Sequence, residues 1–222
     1  HQELAGAGKP RIWIDEMPYG DWAEGWKQYF KPRKLGRRVV VAPTWEEYEP
    51  KEGELLVRID PGMAFGTGQH ETTALCVRAL EDVIEPGMRV LDVGTGSGIL
   101  ALAAVRLGAA SALGIDNDPE AVTAANENVQ ANGLYTVRAA LTPLEEVTGT
   151  YPVVVANILA EALVAMARPL AARVEPGGTI ILSGILATLA PKVAEAYRAQ
   201  GFPEPDVRRD GEWVCLVARA PR

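Results

Sequence analysis

The segment Val90-Leu91-Asp92-Val93-Gly94-Thr95-Gly96-Ser97-Gly98 runs from an apolar stretch into three glycines at alternate positions, and an apolar amphipathic run follows. Few folds accept that order. Glycine lets the backbone take positive φ and approach a ligand closely, and a helix start presents N–H groups without intrahelical partners. The pattern around it predicts a strand from Arg89 to Val93, a helix from Ile99 to Leu107, a strand from Ala112 to Ile115 and a helix from Pro119 to Ala131 closed by Asn132-Gly133. Such βαβα alternation predicts a parallel sheet with helices on both faces.

Further along, the same reading places strands at Thr136 to Leu141, Val153 to Ala156 and Thr179 to Ser183, and helices at Ala160 to Val174 and Leu189 to Gln200. Pro205 to Arg208 and Glu212 to Arg219 flank Asp210-Gly211, a hairpin signal. An antiparallel hairpin closing a mostly parallel seven-stranded sheet resembles the Rossmann-like class I methyltransferase fold, an α/β architecture. Upstream, His70 to Ile84 has helical spacing and is stopped by Pro86-Gly87. Before Asp60 the text is uneven, with strands expected at Arg11 to Ile14, Arg38 to Ala42 and Leu55 to Ile59, and an amphipathic helix at Asp21 to Phe30. The division expected is a linker and N-terminal extension over residues 1–60 and a catalytic domain over residues 61–222.

With 222 residues, 48% of them hydrophobic and 23% charged, the chain reads as a soluble globular protein of one large domain or a domain plus an appendage. No apolar run reaches membrane-spanning length. A net charge of −7 repels phosphate backbones on average, so direct nucleic-acid binding is not expected. Cys76 and Cys215 lack CxxC spacing and read as reduced core residues of a cytoplasmic protein. His1 and His70 are the only histidines, which argues against a His-based zinc site or a Ser-His-Asp triad. No metal is expected, and the protein is read as a monomer.

The glycine turn alone is weak evidence. A nicotinamide-type GxGxxG would need a small residue at Ile99, and no Gly-Lys-Ser/Thr follows to make a nucleoside-triphosphate loop. Asp116 ends the next strand, where an acid about 20 residues beyond the turn is placed to accept ribose hydroxyl protons. Helix capping, its structural alternative, already falls to Asp118 before Pro119. For Asp92 two readings stay open, stapling the loop or meeting the cofactor's amino group. Asn157 closes the strand before Ile158-Leu159-Ala160 on the same rim, either to orient an amine or a cofactor carboxylate, or to cap the next helix. A loop from Asp60 to Thr73 carries Gly62, Gly66, Gly68 and Phe65, and suits a lid that supplies Thr72 or Thr73 to the ligand. His70 there reads more simply as a helix-start residue.

Ile59-Asp60-Pro61-Gly62-Met63-Ala64-Phe65-Gly66-Thr67-Gly68-Gln69-His70-Glu71-Thr72-Thr73, the turn from Gly94 to Gly98, Asp116, Asn157-Ile158-Leu159-Ala160 and Leu182-Ser183-Gly184-Ile185-Leu186 together resemble the PrmA family of ribosomal protein L-eleven methyltransferases. The resemblance runs from about Trp22 onward. It implies S-adenosyl-L-methionine as cofactor, with S-adenosyl-L-homocysteine as product. It further implies cofactor contacts at Thr73, Gly94, Asp116 and Asn157, to which Gly96, Thr67 and Gly68 are added from the loops, with Phe65 over the site and Asn157 orienting the amine. The implied acceptors are lysine and N-terminal amines of a large-subunit ribosomal protein. The chain opens on His1 rather than methionine, so a start near the family's linker is expected, with the recognition domain missing. Lys27, Lys31, Arg33, Lys34, Arg37 and Arg38 form a basic stretch, read as a solvated face or a surface toward that partner. A small-molecule methyltransferase with the same cofactor site is the alternative, and a nicotinamide-dependent oxidoreductase a weaker one.

Overall fold

The computed structural model describes residues 30–60 and 71–222. The strand expected at Arg11 to Ile14, nearly all of the helix expected at Asp21 to Phe30, and Phe65, Thr67, Gly68 and His70 lie outside the described residues. Residues Lys31–Arg222 form one compact unit.

The elements run β1 (Arg33–Lys34), β2 (Val39–Pro43), β3 (Leu55–Ile59), α1 (Glu71–Val83), β4 (Arg89–Val93), α2 (Ile99–Arg106), β5 (Ser111–Ile115), α3 (Pro119–Asn132), β6 (Val137–Ala140), β7 (Tyr151–Asn157), α4 (Ala160–Ala165), α5 (Ala167–Ala171), β8 (Val174–Leu186), α6 (Ala190–Arg198), β9 (Asp206–Asp210) and β10 (Trp213–Arg219). Seven strands make the main sheet in the order β6-β5-β4-β7-β8-β10-β9, and β1-β2-β3 form a small second sheet. Strands β4 to β8 are mutually parallel where they pair, while β10 runs antiparallel to both β8 and β9. This is the α/β class and the closing hairpin that the sequence pattern predicts.

Alternation along each strand divides the core in two. Val90 of β4, Val153 and Val155 of β7 and Ile181 of β8 face a layer with α1, α2 and the small sheet, and both cysteines are buried there. Leu91, Val154, Ala156, Ile180 and Leu182 face the opposite layer, which holds α4, α5 and α6. Inner parallel strands covered on both faces require such continuous apolar runs.

Two boundaries differ from the sequence expectation. The helix expected from Ala160 to Val174 is broken at Met166, whose φ of −96° and ψ of 9° leave the helical region, and Val174 already belongs to β8. Pro169, inside the second piece, has no N–H to continue the ladder from Ala165. Strand β8 runs through Pro176-Gly177-Gly178, which the sequence suggests is a turn before the strand. There the register to β7 shifts between Tyr151 and Val153. A Cβ on Gly178 would come within 2.9 Å of the Pro152 carbonyl oxygen, so only glycine allows that approach.

Candidate functional site

Strand order reverses between β4 and β7: β5 and β6 lie on one side of β4, and β7 and β8 on the other. Loops leaving two such strands diverge and open a crevice at their carboxyl ends. On one side of the crevice stands the glycine turn. Gly94 and Thr95 both donate their N–H to the Ile115 carbonyl, at 2.9 and 3.0 Å. Gly94 has φ +73°, which disfavours any residue with a Cβ.

Beneath the turn, Asp92 is fully buried and works as a staple. Its Oδ2 accepts from Thr95 Oγ1 at 2.7 Å and from the Ala101 N–H at 3.2 Å, joining the turn to the first turn of α2. The other oxygen, Oδ1, has no partner. Burial, the larger influence, pushes the Asp92 carboxyl up to about 7 against the pull of the Thr95 and Ala101 donors, and the neighbouring Asp116 charge adds to the rise. The stapling reading of the sequence is thus realised through one oxygen. On the same layer lie buried Thr72, Thr73, Ser183 and Cys76. Burial and the adjacent Cys215 thiol raise the Cys76 thiol well above its ordinary value.

Asp116 follows β5 and is partly exposed. Its Oδ2 accepts from the Gly96 N–H at 2.9 Å and its Oδ1 from the Asp118 N–H at 3.1 Å. The carboxylate therefore belongs to the glycine turn itself. Asp118, not Asp116, caps α3, accepting from the Glu120 N–H at 2.8 Å.

Asn157 ends β7 across the crevice. Its Nδ2 donates to Thr73 Oγ1 at 3.5 Å, a long bond that ties the strand end to the start of α1. It does not cap α4: that position is Leu159, and no side chain bonds there. Thr73, Gly94, Gly96, Asp116 and Asn157 thus share one rim, while Phe65, Thr67 and Gly68 are outside the described residues.

Three asparagines on α3 have side-chain roles that the sequence pattern does not show: Asn132 reads there only as part of the Asn132-Gly133 stop, and Asn126 and Asn128 carry no signal. Asn132 accepts from the Arg58 N–H at 2.8 Å and donates to the Arg58 carbonyl at 2.6 Å, and Asn128 does the same for Asp60 at 2.7 and 3.2 Å. Two side-chain amides, one helical turn apart, stand in for a neighbouring strand at the end of β3. Asn128 also donates to the Ser97 carbonyl at 2.9 Å, so it links that strand end to the glycine turn. Asn126 brackets Ala139 of β6 in the same manner, at 3.1 and 3.3 Å. The only local signal is asparagine, a poor helix former, at three positions of an expected helix.

The rim is acidic. Glu120, Glu161 and Glu212 are exposed on the loops and first helical turns at the strands' carboxyl ends, beside Lys192 in the first turn of α6, and none of the three acids makes an ion pair among the described residues. Leu159 is 71% exposed and Leu141 56%, both on the same rim. The basic stretch, by contrast, is largely matched by acids: Lys31 with Glu46, Lys34 with Glu54 and Arg37 with Asp82. No group of acids, histidines and cysteines suited to a metal ion occurs among the described residues. No helix among them is long and apolar enough to cross a membrane.

This strand order, with a glycine turn and an asparagine on either side of the switch point and an acid at the next strand end, defines the class I methyltransferase fold. Known proteins agree. The family profile described as ribosomal protein L11 methyltransferase (PrmA) matches residues 2–221, and the chain belongs to that family. A ribosomal protein L11 methyltransferase of Geobacter sulfurreducens is 54% identical over 216 residues, covering 97% of this chain and 72% of its own. That of Geobacter metallireducens is 52% identical over 200 residues, covering 90% of this chain and 66% of its own. The chain thus spans about two thirds of the length of the latter. The crystal structure of a ribosomal protein L11 methylase from Lactobacillus delbrueckii subsp. bulgaricus superposes with a TM-score of 0.81 at 37% identity, covering 87% of this chain and all of the other. A 16S rRNA methyltransferase of T. thermophilus, RsmC, solved with AdoMet and guanosine, gives 0.61 at 26% identity, over 71% of this chain and 45% of its own.

Proposed function

We propose that this protein transfers methyl groups from S-adenosylmethionine to lysine and N-terminal amines of the ribosomal protein L11, working in the cytoplasm. The observation that carries the reading is the gathering of Thr73, Gly94, Gly96, Asp116 and Asn157 on one rim of the switch-point crevice.

The residues present fit the cofactor. Each Asp116 oxygen accepts one backbone N–H and keeps acceptor capacity for a ribose hydroxyl. Gly94 brings backbone rather than side chain to the crevice, and Thr73 and Asn157 offer a hydroxyl and an amide facing it. When bound, the cofactor supplies an electrophilic methyl group on a sulfonium.

What remains for the chain is to align the acceptor and keep water out. An amine must be neutral to attack. Presenting a lysine, of ordinary pKa about 10.4, in that form near pH 7.4 costs about 4 kcal/mol. Alignment is worth about 7 to 11 kcal/mol, which exceeds that cost. The Asn157 carbonyl accepts an N–H of the neutral amine and turns its lone pair toward the methyl group. No residue is assigned as general base, and the proton leaves to solvent. The acidic rim suits a cationic, lysine-bearing partner, since opposite charge raises its local concentration.

The test is mass spectrometry of purified ribosomal protein L11 after incubation with isotope-labelled S-adenosylmethionine. Labelled methyl groups on lysine or the N-terminal amine are expected. Cofactor binding without any transfer to that protein would overturn the assignment of the acceptor.

A further inference from the structure

Ile158 is wedged between two glycines, Gly94 of the glycine turn and Gly184 of β8. Its N–H donates to the Ser183 carbonyl at 3.2 Å, holding it to β8. A Cβ on Gly184 would overlap the Ile158 carbonyl oxygen and lie 2.9 Å from its carbonyl carbon and 3.1 Å from its nitrogen. Those are backbone atoms and cannot rotate away. Gly184 also has φ +82°, so glycine is required there twice over. On the other side, the Ile158 Cγ2 methyl fills the space that a Cβ on Gly94 would need. One residue therefore spans the crevice, with its peptide on β8 and its γ-methyl on the glycine turn.

We propose that Ile158 is a positioning residue, whose β-branch sets the spacing between the Gly94 turn and the Asn157 amide. The inference rests on the methyl-transfer reading above. Asn157 precedes Ile158 directly, so a shift of the Ile158 peptide moves the amide. The turn is independently fixed by the Gly94 and Thr95 bonds to Ile115. Loss of the wedge should therefore disturb alignment more than cofactor affinity. Isoleucine, valine and threonine carry two γ atoms on a stiff χ1 that holds one of them at the Gly94 contact, whereas leucine's single γ atom sits on a χ1 that turns more freely. Shape, not volume, is what the wedge uses.

The experiment compares Ile158→Val, Ile158→Thr and Ile158→Leu by single-turnover rate on the ribosomal protein, cofactor Kd by calorimetry, melting temperature and the side-chain amide NMR signal of Asn157. Rates are normalised to cofactor-binding sites. Valine and threonine should retain most of the wild-type rate. Leucine should lower it by about 10- to 100-fold, the scale of a misplacement of about 1 Å, a loss well beyond any weakening of cofactor Kd, with the Asn157 signal displaced in that variant alone. Equal rates for leucine and valine with an unmoved Asn157 signal would overturn the proposal. So would losses that follow Kd or melting temperature alike in all three variants, since those indicate packing alone. If the wild type transfers no methyl group, the acceptor reading fails, and the Asn157 signal still decides whether Ile158 sets the amide.

Discussion

Asp116 and Asp92 are two carboxylates beneath one turn with opposite environments. Asp116 is partly exposed and shares its oxygens between two backbone N–H groups. Its replacement by alanine removes the acceptor for a ribose hydroxyl, worth about 1.5 to 3 kcal/mol, so S-adenosylmethionine affinity should fall about 10- to 150-fold. Calorimetry showing unchanged affinity in a folded Asp116→Ala variant would remove Asp116 from the binding site. Asp92 is buried, and its carboxyl is pushed up to about 7. An acid whose native pKa is raised contributes most below its unfolded value, about 3.9. As pH rises from there to about 7, the unfolded chain releases the proton first, and stability falls across that window. Asp92→Asn keeps an oxygen for Thr95 and Ala101 without the charge. Its melting temperature should exceed the wild-type value above pH 7, and its pH dependence between 4 and 7 should be flatter. Parallel melting curves for the two proteins across that range would exclude this account.

Among the elements, the start of β2 in the small sheet is tied to α1 by one buried side chain at the far end of that helix from Thr73. The Glu81 carboxylate is 1% exposed and accepts the N–H groups of Arg37, Arg38 and Val39 at 2.7, 2.7 and 3.1 Å. Glu81→Gln presents an NH₂ to at least one of those donors. It should cost about 1 to 3 kcal/mol, read as a melting temperature lowered by about 2 to 4 °C per kcal/mol, with cofactor Kd unchanged. A changed Kd at unchanged stability would mean the small sheet reaches the crevice. The residues of this tether were not legible in the sequence, nor were Asn128 and Asn132, because their partners are backbone groups distant along the chain. No short-range spacing encodes such a bond. Gly94, Asp116 and Asn157 were legible because each stands where an apolar strand stops, and parallel strands put all such stops on one rim. Strand alternation was equally plain. The helical period continues through Met166, however, so the break there is visible only in the backbone angles.

At the scale of the molecule, charge is unevenly spread. The acids of the carboxyl rim stand free, while most of the basic stretch near the small sheet is neutralised by its own neighbours. Transfer to a basic protein should accordingly weaken with salt, through KM more than kcat, because exposed charges are screened beyond about 8 Å at physiological ionic strength. Charge reversal at Glu120, Glu161 and Glu212 together should raise KM and flatten the salt dependence while leaving cofactor Kd unchanged. A salt-independent KM in the wild-type protein would show that the rim does not steer its partner.

Strand β8 contributes 13 residues, and its partner β10 follows it in the chain only after α6 and β9. Until β10 arrives, Ile180-Ile181-Leu182 has an open flank, and the buried Cys215 and Leu216 that complete both core layers are missing. During synthesis, the nascent chain therefore carries an adhesive apolar ribbon of the kind that pairs with other chains and aggregates. Completion of both core layers therefore waits for the last strand of the chain, and removal of β10 should leave a chain that aggregates rather than folds.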